Sequence, residues 1–326
     1  MRPNPLQRTD WPVPAVQVLG RRDGLWQACL THLYAGATGC LWRLPAWPRR
    51  MMVRTLAYLA HKLDRRHAHV ARDYIRTACP ALDEAQVEQR VRKAFAHLIE
   101  TTLDAEWRAA RVAPERLRDY VSIEVSPQAQ AVFASGRGLV FATAHCGDWE
   151  VAGTVMPWVA PQPLYVVSKP PNNRPLSIRA QALRERFGLR LVPRNGAMQY
   201  ASAIVQGGGA LALMLDQRPR RGGVEGLFFG RPALADRSAG VLLKRLRAPL
   251  VVAGAWRVGE RRWKLVVDTV IEPAEYAGRD PLEVVARVNR ELERLILHDP
   301  DQVFWLHDRY GVRRGAQARS ADAPGG

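Results

Sequence analysis

The sequence predicts an α/β fold in which a largely parallel or mixed sheet is covered by helices on both faces. In the second half of the chain, short apolar runs of strand length alternate with segments of helical periodicity, a pattern typical of strands joined by helical crossovers. One run ends in a histidine that is followed by a Cys-Gly turn and acidic residues. Because the carboxyl ends of strands line the ligand crevice in open α/β sheets, this histidine marks a candidate site.

The individual elements follow from apolar run length and periodicity. Strands are predicted at 121–125, 139–143, 164–167, 189–192, 210–215, 250–255 and 263–267. Helices of this region are predicted at 127–135, 148–158, 176–187, 197–206, 238–245 and 281–298.

Four regions are expected along the chain: a polar N-terminal segment (1–24), a helical region (25–115), the α/β domain (116–311) and a disordered tail (312–326). The first segment is Pro-rich and has no continuous apolar stretch of the secretory type. Residues 25–44 are more apolar, but Gln27, His32 and Arg43 interrupt them. A bilayer span needs about 20 predominantly apolar residues, so an interfacial or re-entrant helix is predicted.

Residues 48–76 are predicted to form a basic amphipathic helix, with apolar residues at helical spacing between many arginines. Such a helix fits a membrane surface, where arginines pair with anionic lipids, and it equally fits a core-facing helix with a solvated basic face. The apolar positions are Met51, Met52, Leu56, Leu59 and Leu63. A further helix is predicted at 83–110 from the stripe Val87, Val91, Phe95 and Leu98.

The composition indicates a folded, strongly basic protein. The formal charge is +17 in 326 residues, of which 47% are hydrophobic, and the pI is about 10.6. This balance implies an acidic partner, which is a nucleic acid, an anionic membrane or an acidic protein. The arginines are spread along the chain without the patterns of nucleic-acid modules. The four cysteines lack disulfide or metal-site spacing, which favours a reducing compartment and no metal.

His145 lies five residues before Glu150, at the end of the predicted strand 139–143. A histidine that removes a proton from a hydroxyl needs its second ring nitrogen held, usually by a carboxylate. Glu150, one helical turn past the bend, fits this role, and Asp148 is a nearer alternative. The same pattern fits a helix cap beside a surface histidine, and Cys146 offers an alternative Cys–His nucleophile.

The segment His145-Cys-Gly-Asp-Trp-Glu150 resembles the His-X4-Asp/Glu motif, often written H-x-G-N-W-E, of the lipid A late acyltransferases (the lauroyl/myristoyl acyltransferase family). Three further stretches follow in the family's order. Residues 169–188 resemble Arg-Pro…Asn-Pro-Leu…Arg-x-Arg-x-Gly, residues 215–233 resemble Asp-Gln…Phe-Phe-Gly-x-Pro-Ala, and residues 300–307 resemble Pro-x-Gln-x-x-Trp-Leu-His. The similarity extends over roughly residues 41–314.

This resemblance implies a glycerolipid-acyltransferase-like mixed sheet flanked by helices, with an N-terminal helical membrane-binding region. It implies transfer of a fatty acyl group from an acyl-carrier-protein (or CoA) thioester to a lipid hydroxyl, with no cofactor and no metal. His145 would deprotonate the hydroxyl, and Glu150 would orient the ring and stabilise the imidazolium. No covalent enzyme intermediate is implied, which argues against Cys146 as a nucleophile.

The resemblance also points to residues that bind anions. Arg184 best matches the family's functional arginine, and Arg186 is the alternative because the spacing is one residue short. Lys169 stands where an arginine is common, so it keeps the charge but lacks the bidentate fork. Asp216 is expected at a strand tip, where it orients Arg184 or the catalytic loop, or caps a loop. An exposed basic helix face is the alternative for the cations.

Phe228, Phe229, Gly230 and Arg231 are expected to form a loop over the acyl chain or acceptor, with ordinary packing as the alternative. Trp305 and His307 are expected to be structural.

The implied partners are acyl carrier protein, anionic membrane lipids and a lipid acceptor, and no nucleic acid. The implied location is the cytoplasmic face of a bacterial inner membrane, with peripheral or monotopic attachment. The acceptor implied first is a lipid A precursor. The departures at Lys169 and Asp148 leave open a lysophospholipid, an amino-lipid or another glycolipid, and a non-catalytic basic lipid-binding protein is the remaining alternative.

Overall fold

A computed structural model of the protein describes residues 4–220 and 222–312. Of the predicted tail (312–326), only residue 312 lies within the described residues. Within the part described before residue 114, four α-helices follow the N-terminal segment. They are α1 (Leu25–Leu41), α2 (Ala46–Leu63), α3 (Arg65–Ala78) and α4 (Glu84–Arg111).

The described residues of the α/β region form nine strands. They are β1 (Val121–Val125), β2 (Leu139–Thr143), β3 (Leu164–Ser168), β4 (Leu189–Pro193), β5 (Ala210–Met214), β6 (Gly223–Phe228), β7 (Arg231–Asp236), β8 (Leu250–Gly259) and β9 (Arg262–Ile271). Seven of them form one sheet in the order β1-β9-β8-β2-β5-β3-β4. The five strands from β8 to β4 run parallel, and β9 is antiparallel to β8 and parallel to β1. This confirms the predicted mixed, mainly parallel sheet.

Helices cover both faces of the sheet, because strands buried on both sides need apolar cover on both. Along β2, Val140 and Ala142 pack into one apolar cluster, while Leu139 and Phe141 pack into the other. The helices of this region are α5 (Pro127–Ala134), α6 (Trp149–Val155), α7 (Arg174–Arg186), α8 (Ala197–Gln206), α9 (Ser238–Leu246), α10 (Pro273–Tyr276) and α11 (Pro281–Leu297).

The single helix predicted at 48–76 is wrong, because the chain breaks at Asp64. The Asp64 carboxylate accepts a hydrogen bond from the backbone N–H of His67 at 3.0 Å, which makes it the N-cap of α3. N-capping satisfies a helix-end donor that has no partner within the helix. α2 and α3 can therefore pack separately against α4.

The apolar stripe predicted for 48–76 does not face the core. α2 packs on α4 through another face that includes Val53 and Ala57. The core-facing interpretation is therefore wrong for this stripe. Its members Met51, Leu56, Leu59 and Leu63 are exposed, as are Leu25, Trp26, Leu30, Leu33 and Trp47. We call these exposed residues the apolar surface of α1 and α2.

None of the described helices combines the length and hydropathy that a bilayer-spanning segment requires.

The N-terminal segment lies along the α/β domain. Val13 exchanges two hydrogen bonds with the Tyr165 hydroxyl, at 2.8 and 2.6 Å. Further along, the backbone N–H of Val18 donates to the Gln181 amide oxygen at 2.8 Å. Val13 and Val18 are buried, so this segment contributes apolar contacts as well as polar ones.

Residues 228–231, which are predicted to form a loop, are the tip of a β-hairpin, β6–β7, whose two strands are not predicted. Phe228 ends one strand and Arg231 begins the next, and Phe229 and Gly230 form the turn with positive φ angles of 50° and 71°. Glycine adopts this backbone conformation without strain. The sequence does not predict these strands, because β6 is largely half-exposed and lacks a continuous apolar run. It also contains two glycines, which weaken a strand signal.

Candidate active site

His145 and Asp216 face each other because their strands are neighbours. β2 and β5 pair in parallel with Thr143 opposite Met214. Two residues further along each chain, His145 and Asp216 emerge from the carboxyl edge of the sheet. The crevice at this edge is the usual position for a ligand in such sheets.

The imidazole of His145 is held on both nitrogens and contacts two aromatic side chains. Nδ1 lies 2.8 Å from Oδ1 of Asp216, and Nε2 lies 3.3 Å from the Gln217 amide nitrogen. The ring packs against Trp149 and Phe304, at centroid distances of 5.4 and 6.1 Å. With 19% of its side chain exposed, His145 is fixed in orientation and accessible to a substrate.

The expectation that Glu150 holds the ring is not met in this structure. Glu150 lies in the first turn of α6, and its carboxylate accepts two hydrogen bonds from Arg184, at 3.1 and 2.6 Å. The ring partner is Asp216. This pairing could not be read from spacing, because 71 residues separate His145 from Asp216.

The protonation pattern of the pair follows from the Asp216 carboxylate. Burial by itself would raise its pKa, but the charge and hydrogen bonding of His145 outweigh burial and hold the pKa below its ordinary value. An ionised carboxylate only accepts hydrogen bonds, so the shared proton belongs to Nδ1. Nε2 of the neutral ring then carries the lone pair, which is the arrangement a general base requires.

The loop after His145 is fixed by its backbone. Gly147 has a φ of +57°, and a Cβ there would lie 1.9 Å from the carbonyl oxygen of Ala255. The N–H of Gly147 donates to the Gln302 carbonyl at 2.5 Å, and the N–H of Asp148 donates to the Ala255 carbonyl at 2.6 Å. Only glycine fits this close approach, so the loop and His145 have one position relative to the sheet.

Cys146 is not placed to act as a nucleophile. Its side chain is 1% exposed, and burial raises the pKa of the thiol well above its ordinary value. Sγ lies 3.9 Å from the Leu295 carbonyl oxygen. Because the thiolate is the reactive form, this cysteine is inert.

Glu150 and Arg184 form a partly exposed ion pair near the histidine. Burial would raise the pKa of Glu150, but Arg184 first, then Arg108 and His145, bring it below its ordinary value. The two side chains remain 21% and 27% exposed. Glu150 therefore fixes the Arg184 guanidinium, which remains partly accessible to solvent.

Asp148 is fully buried under Arg108. The guanidinium contacts both carboxylate oxygens, at 2.9 and 3.3 Å, and the side chains are 3% and 1% exposed. The same carboxylate accepts from the N–H of Val151 and caps α6. The acidic residue at this motif position is thus neutralised from α4 and is not the ring partner of His145.

Replacing Arg108 with methionine is expected to lower the free energy of unfolding by about 3–5 kcal/mol, because Asp148 is left buried without its counter-charge. Denaturant unfolding measures the change. Arg111→Met, an exposed arginine on the same helix, should change stability by less than about 0.5 kcal/mol. Adding Asp148→Asn to Arg108→Met should restore most of the loss, since asparagine also caps helices. A single Arg108→Met variant as stable as the wild type would contradict this account.

The other three predicted anion-binding residues lie apart from the ion pair of Glu150 and Arg184. Lys169 is exposed just after β3. Arg186 donates to the carbonyls of Ala109 and Val112, at 2.5 and 3.4 Å, so it secures the end of α4. Arg231 contacts Asp73 at 2.8 Å and lies over the ring of Tyr310. Arg184 alone of these four contacts the predicted catalytic residues.

His307 and Trp305 are built into the fold. The Trp305 indole N–H donates to the Pro300 carbonyl at 2.8 Å. Burial lowers the pKa of His307 to about 4, and the neutral ring accepts at Nε2 from the Arg218 backbone N–H at 2.9 Å. These contacts hold the chain just after Asp216 and around Phe304.

Sequence reasoning missed Gln217, Arg108, Trp149 and Phe304. Gln217, Trp149 and Phe304 stand inside the motifs described above, whereas Arg108 gives no local signal because its partner lies 40 residues away. Among the described residues, no group of three or more His, Cys, Asp or Glu side chains is placed to hold a metal ion.

Comparison with known proteins gives the family. Residues 25–311 match the protein family described as "bacterial lipid A biosynthesis acyltransferase". The lipid A biosynthesis palmitoleoyltransferase of Escherichia coli (strain K12) is 22% identical over 261 residues, which are 78% of this chain and 82% of the relative. The phosphatidylinositol mannoside acyltransferase of Mycobacterium tuberculosis (strain ATCC 25618 / H37Rv) is 26% identical over 200 residues, which are 58% of this chain and 61% of the relative. The chain belongs to the bacterial lipid A biosynthesis acyltransferase family and is an acyltransferase.

Proposed function

We propose that this protein transfers a fatty acyl group from an acyl-carrier-protein or CoA thioester to a hydroxyl of a membrane lipid, with a lipid A precursor as the acceptor. The late, lauroyl/myristoyl type of enzyme is the subtype that its motifs resemble. The observation that carries the proposal is the imidazole of His145, held at Nδ1 by Asp216 at 2.8 Å and accessible at the carboxyl edge of the sheet.

His145 acts as the general base. Nε2 takes the proton of the acceptor hydroxyl while the oxygen attacks the thioester carbonyl, and Asp216 stabilises the imidazolium that forms. The tetrahedral intermediate collapses by breaking the carbon–sulfur bond, and the leaving thiolate takes the proton back from Nε2. The products are the acylated lipid and a free thiol, and the protein returns to its starting state.

Glu150 and Arg184 act on charge. Arg184 binds a phosphate of the substrate, or the oxyanion of the intermediate, through its planar fork. Glu150 fixes that fork by two hydrogen bonds and adds negative potential beside His145. In this proposal Glu150 supports catalysis through Arg184 and through the field at the ring, and Asp216 performs the orientation expected of Glu150. Lys169 and Arg231 remain candidates for contacts with the more distant parts of the substrate, and Arg186 supports the site through α4.

The proposed partners follow from charge. A formal charge of +17 favours an acidic donor protein such as acyl carrier protein, and anionic lipids. The apolar surface of α1 and α2 would enter the headgroup boundary while neighbouring arginines contact anionic lipids. We therefore place the protein at the cytoplasmic face of a bacterial inner membrane, as a peripheral or monotopic enzyme. No nucleic acid is involved.

A glycosylated phospholipid is the second candidate acceptor. The similarity to a phosphatidylinositol mannoside acyltransferase supports the same chemistry on another glycolipid. A lysophospholipid or an amino-lipid would need the same base and the same fork. A non-catalytic lipid-binding protein would have no need for a histidine held in one tautomer at an accessible strand end.

The acceptor can be identified by offering purified protein each thioester donor with a panel of acceptors and weighing the lipids by mass spectrometry. Acylation of a lipid A precursor supports the proposal. Acylation of another acceptor instead establishes the alternative, and no transfer by a folded, vesicle-bound protein favours the lipid-binding alternative.

A further inference from the structure

A cavity of about 270 Å³ lies apart from the residues of the candidate active site, and we call it the arginine cavity. α2, α4 and the turn between β8 and β9 supply most of its lining. Five of the lining residues are arginines and three are acidic. The arginines are Arg49, Arg50, Arg54, Arg257 and Arg261, and the acidic residues are Glu100, Asp104 and Glu260.

The carboxylates of the arginine cavity are all engaged by three of the arginines. Glu260 contacts Arg49 at 2.5 Å and Arg50 at 2.6 Å. Arg257 contacts Glu100 at 2.8 Å and Asp104 at 2.6 Å. Among the described residues, the other two arginines have no carboxylate within ion-pair distance. The cavity wall therefore carries an excess of positive charge.

Arg261 is held in place without being neutralised. Its guanidinium lies over the rings of Trp42 and Trp107, at 5.4 and 4.8 Å from their centroids. Its Nε is buried and has no hydrogen-bond partner in the part of the chain that the structure describes. Cation–π contacts orient an arginine and leave its donors free. A buried donor without a partner points to a ligand that supplies one.

The backbone of Arg261 supports the same interpretation. It occupies the two-residue turn between β8 and β9 with a φ of +55°, a conformation that glycine or asparagine adopts at lower cost. Strain of this kind is concentrated at ligand sites. An arginine stands here although its backbone conformation disfavours it.

The arginine cavity lies beside the apolar surface of α1 and α2. Arg54 is on the helix that carries the exposed residues Trp47 and Met51, and Val258, next to the turn, is 62% exposed. A lipid whose acyl chains contact this apolar surface would bring its phosphate to the arginines. The planar fork of arginine matches phosphate oxygens.

The cavity is also connected to the catalytic loop. The N–H of Arg257 donates to the Gln302 side chain at 2.9 Å, and Gln302 donates back to the Arg257 carbonyl at 3.0 Å. The Gln302 carbonyl accepts from Gly147 in the loop that carries His145. A phosphate bound in the cavity would therefore fix the position of the loop that carries His145 relative to the lipid surface.

We propose that the arginine cavity binds the phosphate group of an anionic membrane lipid and docks the protein on the bilayer. The site is separate from His145 and from the Arg184 fork. It rests on the membrane contact of the proposed function, not on acyl transfer.

The test compares binding of the full-length protein to vesicles of phosphatidylcholine with and without phosphatidylglycerol. Arg54→Gln combined with Arg261→Asn removes the two unpaired guanidinium groups, and asparagine suits the positive φ. Arg245→Gln combined with Arg290→Gln removes the same charge from exposed positions on α9 and α11. We expect the cavity variant to lose affinity for phosphatidylglycerol vesicles roughly 10- to 30-fold, and the control variant less than about threefold.

The proposal is overturned if both variants lose the same affinity, which would indicate diffuse electrostatic attraction, or if the cavity variant equally loses affinity for pure phosphatidylcholine. Thermal unfolding with inorganic phosphate or with a short-chain phosphatidic acid separates the two sources of phosphate. Stabilisation of the wild type by the lipid beyond that by inorganic phosphate, absent in the cavity variant, supports a lipid site. Equal stabilisation by both compounds would identify a site for free phosphate. These binding readouts are independent of acyl transfer.

Discussion

His145→Asn is expected to lower kcat for acyl transfer by about 10²–10⁴-fold, the range that a positioned general base contributes. Asparagine can place an amide N–H near the position of Nδ1 and still donate to Asp216, so the buried carboxylate keeps a partner. It cannot accept a proton where Nε2 does. The loss should therefore fall on the chemical step, with little change in stability or in vesicle binding.

Steady-state thiol release and lipid product formation measure this effect. His69→Asn is the matched control, because His69 is exposed on α3 and far from the reaction in this account. It should keep wild-type kcat. A His145→Asn protein that is folded and fully active would show that another group removes the proton.

Asp216→Asn is expected to lower kcat by about 10²-fold or more. The amide removes the charge that stabilises the imidazolium and can donate to Nδ1, which would move the proton to Nε2 and block the base. Stability should also fall, because the pKa of Asp216 lies below its ordinary value in the folded protein, so the ionised carboxylate contributes to folding stability at neutral pH. Asp216→Glu, which retains the carboxylate, should recover part of kcat.

The comparison with Glu150→Gln separates the two acidic residues. If Asp216 orients the ring, Glu150→Gln should raise KM through a loosened Arg184 and lower kcat less than Asp216→Asn does. The reverse order, with kcat insensitive to Asp216→Asn, would return the orienting role to Glu150. Kinetics of both variants under the same conditions decide between these outcomes.

Much of the fold could be predicted from local pattern. β2 and β5 are short apolar runs, and buried parallel strands need no alternation, so both were predicted within one residue of their observed ends. The helix predicted at 83–110 from its apolar stripe is α4, and a capping box of Asp83 and Gln86 forms its start. These signals depend on neighbours in the chain, and the sequence contains them directly.

The pairing of His145 with Asp216 depends instead on strand order. β5 lies between β2 and β3 in the sheet, and no local pattern encodes that crossover. Spacing therefore favoured Glu150, which is five residues away but turns towards Arg184. Asp148 also has a partner that spacing does not reveal, since Arg108 neutralises it from a different helix. Its departure from the family motif thus has a structural cause and need not indicate a different acceptor.

The break at Asp64 has a local signal in the sequence. An aspartate three residues before His67, within an otherwise helical pattern, is a typical N-cap. The apolar periodicity on both sides suggested one continuous helix. In the structure the apolar stripe of α2 is exposed. Helical periodicity is the same for a stripe that faces a membrane and for one that faces a core, so the pattern alone does not distinguish them.

The most direct test of the proposed mechanism is a single-turnover experiment with a radiolabelled acyl thioester, the lipid acceptor and excess protein, quenched at short times. The mechanism predicts that label passes from the thioester to the lipid without residing on the protein, and that His145→Asn stops its transfer. Label that accumulates on the protein before it reaches the lipid would contradict direct transfer. It would require a covalent intermediate that the buried Cys146 does not explain.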